Sequence, residues 1–267
     1  MIKRVNKHLR YHIKNIMPKV VQHILQPRKI QAFCVGAAKT GTTSIADMFK
    51  QHYRAGHEPE YSLMVAMINQ HFHHRLTDDE FCQSLKKHEK RVWLDVNSSC
   101  FLGYRSDLLY RTFPNAKYIL TVREPKSWLK SIFTSNIKYS ASIPLQARWH
   151  EVFFQPHKFS YTRYDAILRK YNLYPLDSFL NYWVFTNCSV MQAIPDNQLL
   201  ILDTRQLSHS DQLVSDFLKI APGSINAKTT HKNKTKEKYD IISLIDANYL
   251  QDRIDTHCAE WIPRLFN

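Results

Sequence analysis

The sequence predicts an α/β domain in which helices cover both faces of a central parallel sheet, a three-layer sandwich. Three observations carry this. Short apolar runs rich in β-branched residues recur at Ile30–Val35, Lys117–Val122 and Gln198–Asp203. Stretches with helical spacing separate them, as parallel crossovers require. The first run ends in a glycine-bearing turn that leads into a helix.

The elements follow in order. Ile30–Val35 reads as a buried strand and Thr42–Gln51 as a helix. Tyr53–His57 reads as a short second strand, and residues 59–75 as helical. Thr77-Asp78-Asp79-Glu80 has the form of a capping box and starts a helix to about His88. Arg91–Val96 is expected to be a strand and Ser98–Thr112 a helix. Lys117–Val122 is a further strand, and Pro125, suited to a first helical turn, opens a helix to about Ile137. Residues 146–195 are mainly helical and are expected to form an insertion on the acceptor side of the domain. Gln198–Asp203 is the last strand, followed by a helix near 209–220.

The chain has 267 residues, enough for one large core. Lys and Arg number 37 against 23 Asp and Glu, a net charge of +14, which favours an anionic partner. Five scattered cysteines with no CxxC pair argue against a disulfide scaffold or a cysteine zinc site and fit a reducing, cytoplasmic compartment. No stretch of 18 apolar residues occurs, so no membrane-spanning helix is expected. No helix-turn-helix, zinc finger or RNA-binding motif accompanies the positive charge, so nucleic acid is not expected as partner. His71, His73, His74 and His88 lack a completing ligand set, so no metal site is expected and these rings are placed on exposed helical surface.

Residues 1–28 form a separate basic segment. Residues 1–30 contain eight Lys or Arg and no acid, and Ile2, Val5, Leu9, Ile13, Ile16, Val20 and Ile24 make a helical apolar stripe. Two readings stand: a helix docked on the domain at 29–267, or an amphipathic segment in peripheral contact with an anionic membrane.

Gly36-Ala37-Ala38-Lys39-Thr40-Gly41-Thr42-Thr43 joins the first strand to its helix. Such a turn aims backbone N–H groups and a helix dipole at an anion, while Thr42 and Thr43 add hydroxyls and Lys39 a positive charge. In the usual nucleotide loop the Lys directly precedes the final Ser or Thr. Here Thr42 stands in that place and Lys39 lies three residues earlier, which counts against an ordinary ATP or GTP hydrolase. A second element, Tyr118-Ile119-Leu120-Thr121-Val122-Arg123-Glu124-Pro125, ends a strand in Arg123, with Ser131 eight residues on. Ligands of such sheets sit beyond the strands' carboxyl ends, and the planar fork of Arg suits a phosphomonoester.

The two stretches VGAAKTGTTSI and ILTVREPKSWLKSI, in this order, resemble the sulfotransferases that use 3′-phosphoadenosine 5′-phosphosulfate. The resemblance implies a P-loop NTPase-like sulfotransferase fold over about residues 30–240. It implies that Gly36, Ala38, Lys39, Thr40, Gly41, Thr42 and Thr43 bind the 5′-phosphosulfate and that Arg123 and Ser131 bind the 3′-phosphate. The basic stretch Lys228–Lys238 corresponds to a loop that folds over the nucleotide in this family, which makes Lys232 and Asn233 further binding candidates, with His231 and Lys234 beside them. The product would be 3′,5′-bisphosphoadenosine, with no metal required.

Sulfuryl transfer needs a cation near the bridging oxygen, for which Lys39 is the choice, and a base for the acceptor. His57-Glu58-Pro59-Glu60 supplies candidates: Glu58 first, then His57 and Glu60. Asp95, at the end of RVWLD, is also expected to point toward the site. Residues 149–185 hold twelve aromatics interleaved with Arg148, His150, His157, Lys158, Arg163 and Arg169, which favours a carbohydrate or glycolipid hydroxyl as acceptor. A small-molecule kinase using ATP and Mg²⁺ is the alternative enzyme.

Overall fold

The computed structural model describes residues 26–138, 144–228 and 240–266. Five strands form one sheet: β1 (Ala32–Val35), β2 (Ala55–His57), β3 (Val96–Ser98), β4 (Lys117–Val122) and β5 (Leu199–Asp203). Their order is β2-β3-β1-β4-β5, and every neighbouring pair is parallel. The helices are α1 (Thr42–Phe49), α2 (Tyr61–Phe72), α3 (Asp78–Val92), α4 (Ser106–Thr112), α5 (Pro125–Lys138), α6 (Pro144–Phe154), α7 (Ala166–Lys170), α8 (Leu176–Ala193), α9 (Asp211–Leu218), α10 (Ala247–Cys258) and α11 (Ile262–Leu265). This is the expected α/β architecture.

The alternation of side chains along each strand splits the interior into two cores. Phe33 and Val35 of β1, with Tyr118, Leu120 and Val122 of β4, face the larger one, built with α2 to α8 and α10. Ala32 and Cys34, with Ile119 and Leu202, face the smaller one, closed by Ile45, Met48 and Phe49 of α1 and Val214 and Leu218 of α9. The central strands are thus buried on both faces, which explains their unbroken apolar runs.

Local signals in the sequence act as expected at several points. Thr77 Oγ1 accepts from the Glu80 N–H at 3.3 Å, while Glu80 Oε2 accepts from the Thr77 N–H at 2.8 Å, a complete capping box. Pro125 opens α5. Two spans differ. Arg91 and Val92 still belong to α3, Trp93 caps it in a left-handed conformation, and the strand begins only at Val96. Ser98 is the last strand residue rather than the first helical one, and the expected helix is broken into a 3₁₀ turn at Cys100–Gly103 and α4.

The histidines also divide differently from expectation. His73 and His74 lie toward solvent, but His71 and His88 are buried. His71 bonds Asp78 at 2.9 Å and the Tyr104 hydroxyl at 3.1 Å, and His88 bonds Glu60 at 3.0 Å. Their polar partners come from other elements, which sequence spacing alone does not display. All five cysteines are free and buried. No helix among the described residues is long and apolar enough to cross a membrane. The basic segment expected at 1–28 lies, up to residue 25, outside the described residues.

His150 on α6 packs between Trp149, Phe154 and Tyr174, and burial lowers its pKa to about 4. Between pH 6.5 and about 4 the unfolded chain therefore binds a proton that the folded chain refuses. The resulting destabilisation is absent above that window, grows through it as pH falls, and levels off at on the order of 3 kcal/mol at its acid end. His150→Asn is expected to flatten the fall in melting temperature between pH 6.5 and 4, measured by thermal denaturation across that range.

Candidate active site

The donor loop leaves β1 at Gly36, and parallel pairing places it beside the end of β4. Val35 is in register with Leu120, and Gly36 lies against Thr121. Gly36 has φ +147°, and a Cβ there would stand 2.5 Å from the Thr121 carbonyl oxygen, so only glycine fits. Arg123 follows two residues later, at the same carboxyl edge. The two stretches that stood 80 residues apart in sequence therefore meet at one edge of the sheet.

Within the loop, Lys39 adopts a left-handed conformation with φ 72°. Non-glycine residues there carry strain of about 1–3 kcal/mol and cluster at functional sites. Thr42 and Thr43 open α1, where backbone N–H groups have no intrahelical acceptor and the dipole favours an anion. Their hydroxyls both lie 3.1 Å from His57 Nε2. Thr40 differs. Its hydroxyl is buried, donates to the Ala37 carbonyl at 2.7 Å and meets Thr121 Oγ1 at 2.9 Å. Its side chain locks the loop onto the sheet.

Three aromatic residues distant in sequence frame the loop. The Ala38 N–H donates to the Tyr182 hydroxyl at 2.8 Å, and the Ala38 carbonyl accepts from Trp128 Nε1 at 2.8 Å. The neighbouring Trp183 Nε1 donates to the Arg123 carbonyl at 2.9 Å. Helix α8 thus holds both the loop and the Arg123 turn by adjacent residues. Thr204, after β5, donates to the Thr40 or Val122 carbonyl at 2.7 Å, closing the third side. Tyr182 and Trp183 are both fully buried. Their second role as loop supports, across a separation of 144 residues for Tyr182, left no local signal.

Arg123 Nε donates to Ser127 Oγ at 3.1 Å, and Ser131 lies one turn further along α5. Arg123, Ser127 and Ser131 therefore share one side of the helix entry. Ser127 was not singled out from the sequence, although its i+4 spacing from Arg123 is the signal that finds it.

His57 ends β2, and Glu58 follows in a left-handed conformation with φ 48°. His57 Nε2 and Glu58 Oε1 are 3.7 Å apart. Burial lowers the His57 pKa, although the charges of Glu58 and Asp47 partly restore it, while Lys50 and Lys39 add to the lowering. The imidazole is therefore held neutral against the two threonine hydroxyls. The Glu58 N–H donates to the Ser98 carbonyl at 2.9 Å, and Cys100 Sγ donates to Glu58 Oε1 at 3.2 Å. Glu60 turns away: its carboxylate takes Arg91 at 2.7 Å and His88 at 3.0 Å, and the Arg91 bond foremost holds it below the ordinary glutamate range.

Asp95 is not at this edge. It precedes β3, and the Ala32 N–H donates to its carbonyl, so it marks the amino end of the sheet. About four or five strand residues, roughly 15 Å, separate that level from the donor loop. The cause is the later start of β3: with the strand running 96–98 instead of 91–96, Asp95 enters the strand rather than leaving it. Its carboxylate accepts from the Lys29 N–H at 2.8 Å and from the Arg54 N–H and guanidinium at 2.9, 3.2 and 3.0 Å. Burial works to raise its pKa, but these bonds outweigh it and hold the group below the usual aspartate range. Beside it, Arg54 also donates to the Gln26 and Pro27 carbonyls, and Trp93 Nε1 to the Gln26 carbonyl. Asp95 therefore anchors the entering chain. Lys232 and Asn233, with His231 and Lys234, fall outside the described residues.

The chain matches the family model described as a sulfotransferase domain over residues 31–211, and it belongs to that family. The matched span contains the donor loop, His57, Glu58, Arg123 and Ser131. The fold is similar to that of a sulfotransferase from Alicyclobacillus acidocaldarius, with TM-score 0.51 and 15% identity over 87% of this chain and 95% of that one. The sulfotransferase domain of the Synechococcus PCC 7002 olefin synthase is similar at TM-score 0.43 and 14% identity, over 84% of this chain and 83% of that one. Among curated proteins none matches this chain. The protein is thus a transferase of the sulfotransferase family with its α/β, P-loop-like fold.

The placement of Asp95 has a measurable consequence. Asp95→Ala leaves the Arg54 guanidinium and two N–H groups without their acceptor, and breaking such a buried pair costs on the order of 3–5 kcal/mol. Urea unfolding is expected to show that loss, while nucleotide affinity of the folded fraction stays within about twofold of wild type.

Proposed function

We propose that the protein transfers a sulfuryl group from 3′-phosphoadenosine 5′-phosphosulfate to an acceptor hydroxyl of a carbohydrate or glycolipid. The observation that carries this reading is the convergence of two anion-binding elements, the loop at 36–43 and the Arg123 turn, on one edge of adjacent parallel strands. A single nucleotide bearing phosphoryl groups on both its 5′ and 3′ positions matches two such elements better than a triphosphate, which needs one.

The residues present suit that donor. The α1 N-terminus, with the Thr42 and Thr43 hydroxyls, offers donors to the 5′-phosphosulfate. Arg123, with Ser127 and Ser131 on the same side of α5, offers a fork and hydroxyls to the 3′-phosphate. Lys39 is assigned to the bridging oxygen, where negative charge develops as the sulfur–oxygen bond breaks. Glu58 is assigned as base. It takes the acceptor's proton as the acceptor oxygen bonds to sulfur, and 3′,5′-bisphosphoadenosine leaves with the bridging electron pair. His57 has its Nε2 engaged by the loop threonines, so it is assigned to holding their hydroxyls rather than to deprotonation. Lys232 and Asn233 remain assigned to the nucleotide by resemblance.

One feature supports a glycan acceptor. Cation–aromatic pairs line the α7 region, with Arg163 over Tyr164 at 4.7 Å and Arg169 over Tyr161 at 4.6 Å, surfaces that stack on sugars and hold acidic groups. For residues 1–28 the two readings, a helix docked on the domain and a peripheral contact with anionic membrane, are separated by liposome co-sedimentation of the full chain against a chain starting at residue 29.

The donor assignment is tested by thermal shift. 3′,5′-Bisphosphoadenosine is expected to raise the melting temperature in EDTA, and ATP with Mg²⁺ to raise it less. A larger shift with ATP–Mg²⁺ would point to phosphoryl transfer instead. Arg123→Ala is expected to weaken 3′,5′-bisphosphoadenosine binding by about 10- to 100-fold while changing 5′-AMP binding little, by calorimetry. Equal losses would remove Arg123 from the 3′-phosphate. Lys39→Ala is expected to lower donor consumption with a glycan panel by about 100-fold or more.

A further inference from the structure

The strand end that carries Ser98 reaches both halves of the site. Ser98 Oγ donates to the Thr42 carbonyl at 2.6 Å, in the first turn of the donor helix. The Ser98 carbonyl accepts the Glu58 N–H at 2.9 Å, and His57 is in register with Ser98. Two residues on, Cys100 opens the 3₁₀ turn and its Sγ meets Glu58 Oε1 at 3.2 Å. Backbone and side chain of residue 58 are therefore both held from this one segment.

The local charges decide which partner donates. Cys100 is buried in the larger core and opens the 3₁₀ turn. Burial, then the adjacent Glu58 charge, pushes its thiol well above its ordinary pKa, so it keeps its proton. A protonated thiol donates to a carboxylate, and it occupies one carboxylate oxygen only. The groups facing Glu58 are His57 from β2, Tyr61 from α2, Cys100 from the 3₁₀ turn and Tyr182 from α8, with Lys39 further off beside His57. Cys100 Sγ bonds the carboxylate at 3.2 Å, and His57 Nε2 lies 3.7 Å from the same oxygen.

We infer that Cys100 is a positioning residue for the sulfuryl-transfer reaction: its S–H bond fixes Oε1 of Glu58 and leaves Oε2 turned to the acceptor hydroxyl. This rests on Glu58 being the base. The strained backbone of Glu58 sets the direction of the side chain, and the thiol sets its rotation.

The experiment uses the full chain with 3′-phosphoadenosine 5′-phosphosulfate and water as acceptor, following release of 3′,5′-bisphosphoadenosine against pH. Cys100→Ala removes the donor and is expected to move the acid limb of the profile up by about 0.5 to 1 pH unit, because an ionised carboxylate loses a hydrogen bond. Cys100→Ser keeps a donor and is expected to restore the wild-type limb. A role in packing alone would lower the melting temperature in both variants and leave the limb where it was, which would overturn the inference. Glu58→Gln separates the two claims. Loss of the limb in that variant with an unmoved limb in Cys100→Ala sinks the positioning role alone, whereas an acid limb that survives Glu58→Gln sinks the assignment of the base. Infrared difference spectra of wild type against Cys100→Ser give a readout without turnover. The Cys100 S–H band is expected at a lower frequency in wild type than in Glu58→Gln, and an unchanged band would mean that the bond does not form.

Discussion

The parallel pairing of β1 with β3 on one side and β4 on the other is the constraint from which the site follows. Parallel strands all leave the sheet at the same edge, so the segments after Val35, His57, Ser98, Val122 and Asp203 are gathered there without any need for long loops. Central position matters as much as direction. β1 has a neighbour on each side, and the donor loop that follows it can therefore touch Thr121 from β4 and the Ser98 segment from β3.

The edge is not relaxed. Lys39 and Glu58, the two residues given the chemistry, both hold left-handed backbone, and Gly36 approaches Thr121 closer than any side chain permits. Strain of this kind persists when the surroundings over-determine it. Here the surroundings are specific: Thr40 bonded to Thr121, Ala38 held at its N–H by Tyr182 and at its carbonyl by Trp128, Thr204 against the Thr40 and Val122 carbonyls, and residue 58 held by Ser98 and Cys100. Each neutral bond contributes only about 1 kcal/mol net, but those in the interior cannot be exchanged for water. The large aromatic core behind α5 and α8 makes the frame stiff, since Trp128, Trp183 and Tyr182 have no room to turn.

The opposite edge has a different chemistry. Asp95, Arg54, Glu89 and Arg28 form a charged group that ties residues 26–29 to α3 and to the start of β3. Arg28 also lies over the Trp93 ring at 4.5 Å. Burial raises the Glu89 pKa, so its pairing with Arg28 and Asn97 is what lets a carboxylate sit there at all. Charged residues thus serve anchoring at the amino edge, while those proposed to bind the donor lie at the carboxyl edge. A list of charged residues in the sequence does not distinguish the two.

The local pattern of the chain by itself determined the parallel α/β class, the strand–turn–helix at Val35–Thr43, the Arg123 strand end, the Thr77 capping box and the start of α5 at Pro125. Each depends on neighbours within a few residues: apolar runs for buried strands, glycine for a left-handed turn, hydroxyl and carboxylate spacing for a cap, proline for a first turn. Tertiary structure alone decided that Asp95 faces the wrong edge, that Glu60 is taken by Arg91 and His88, that the Thr40 hydroxyl points inward, and that Tyr182, Trp128, Trp183 and Cys100 brace the site. The reason is physical. A start of β3 only a few residues later exchanges the two ends of a strand, and a hydrogen bond between residues 144 apart exists only after packing has paid the entropy of bringing them together.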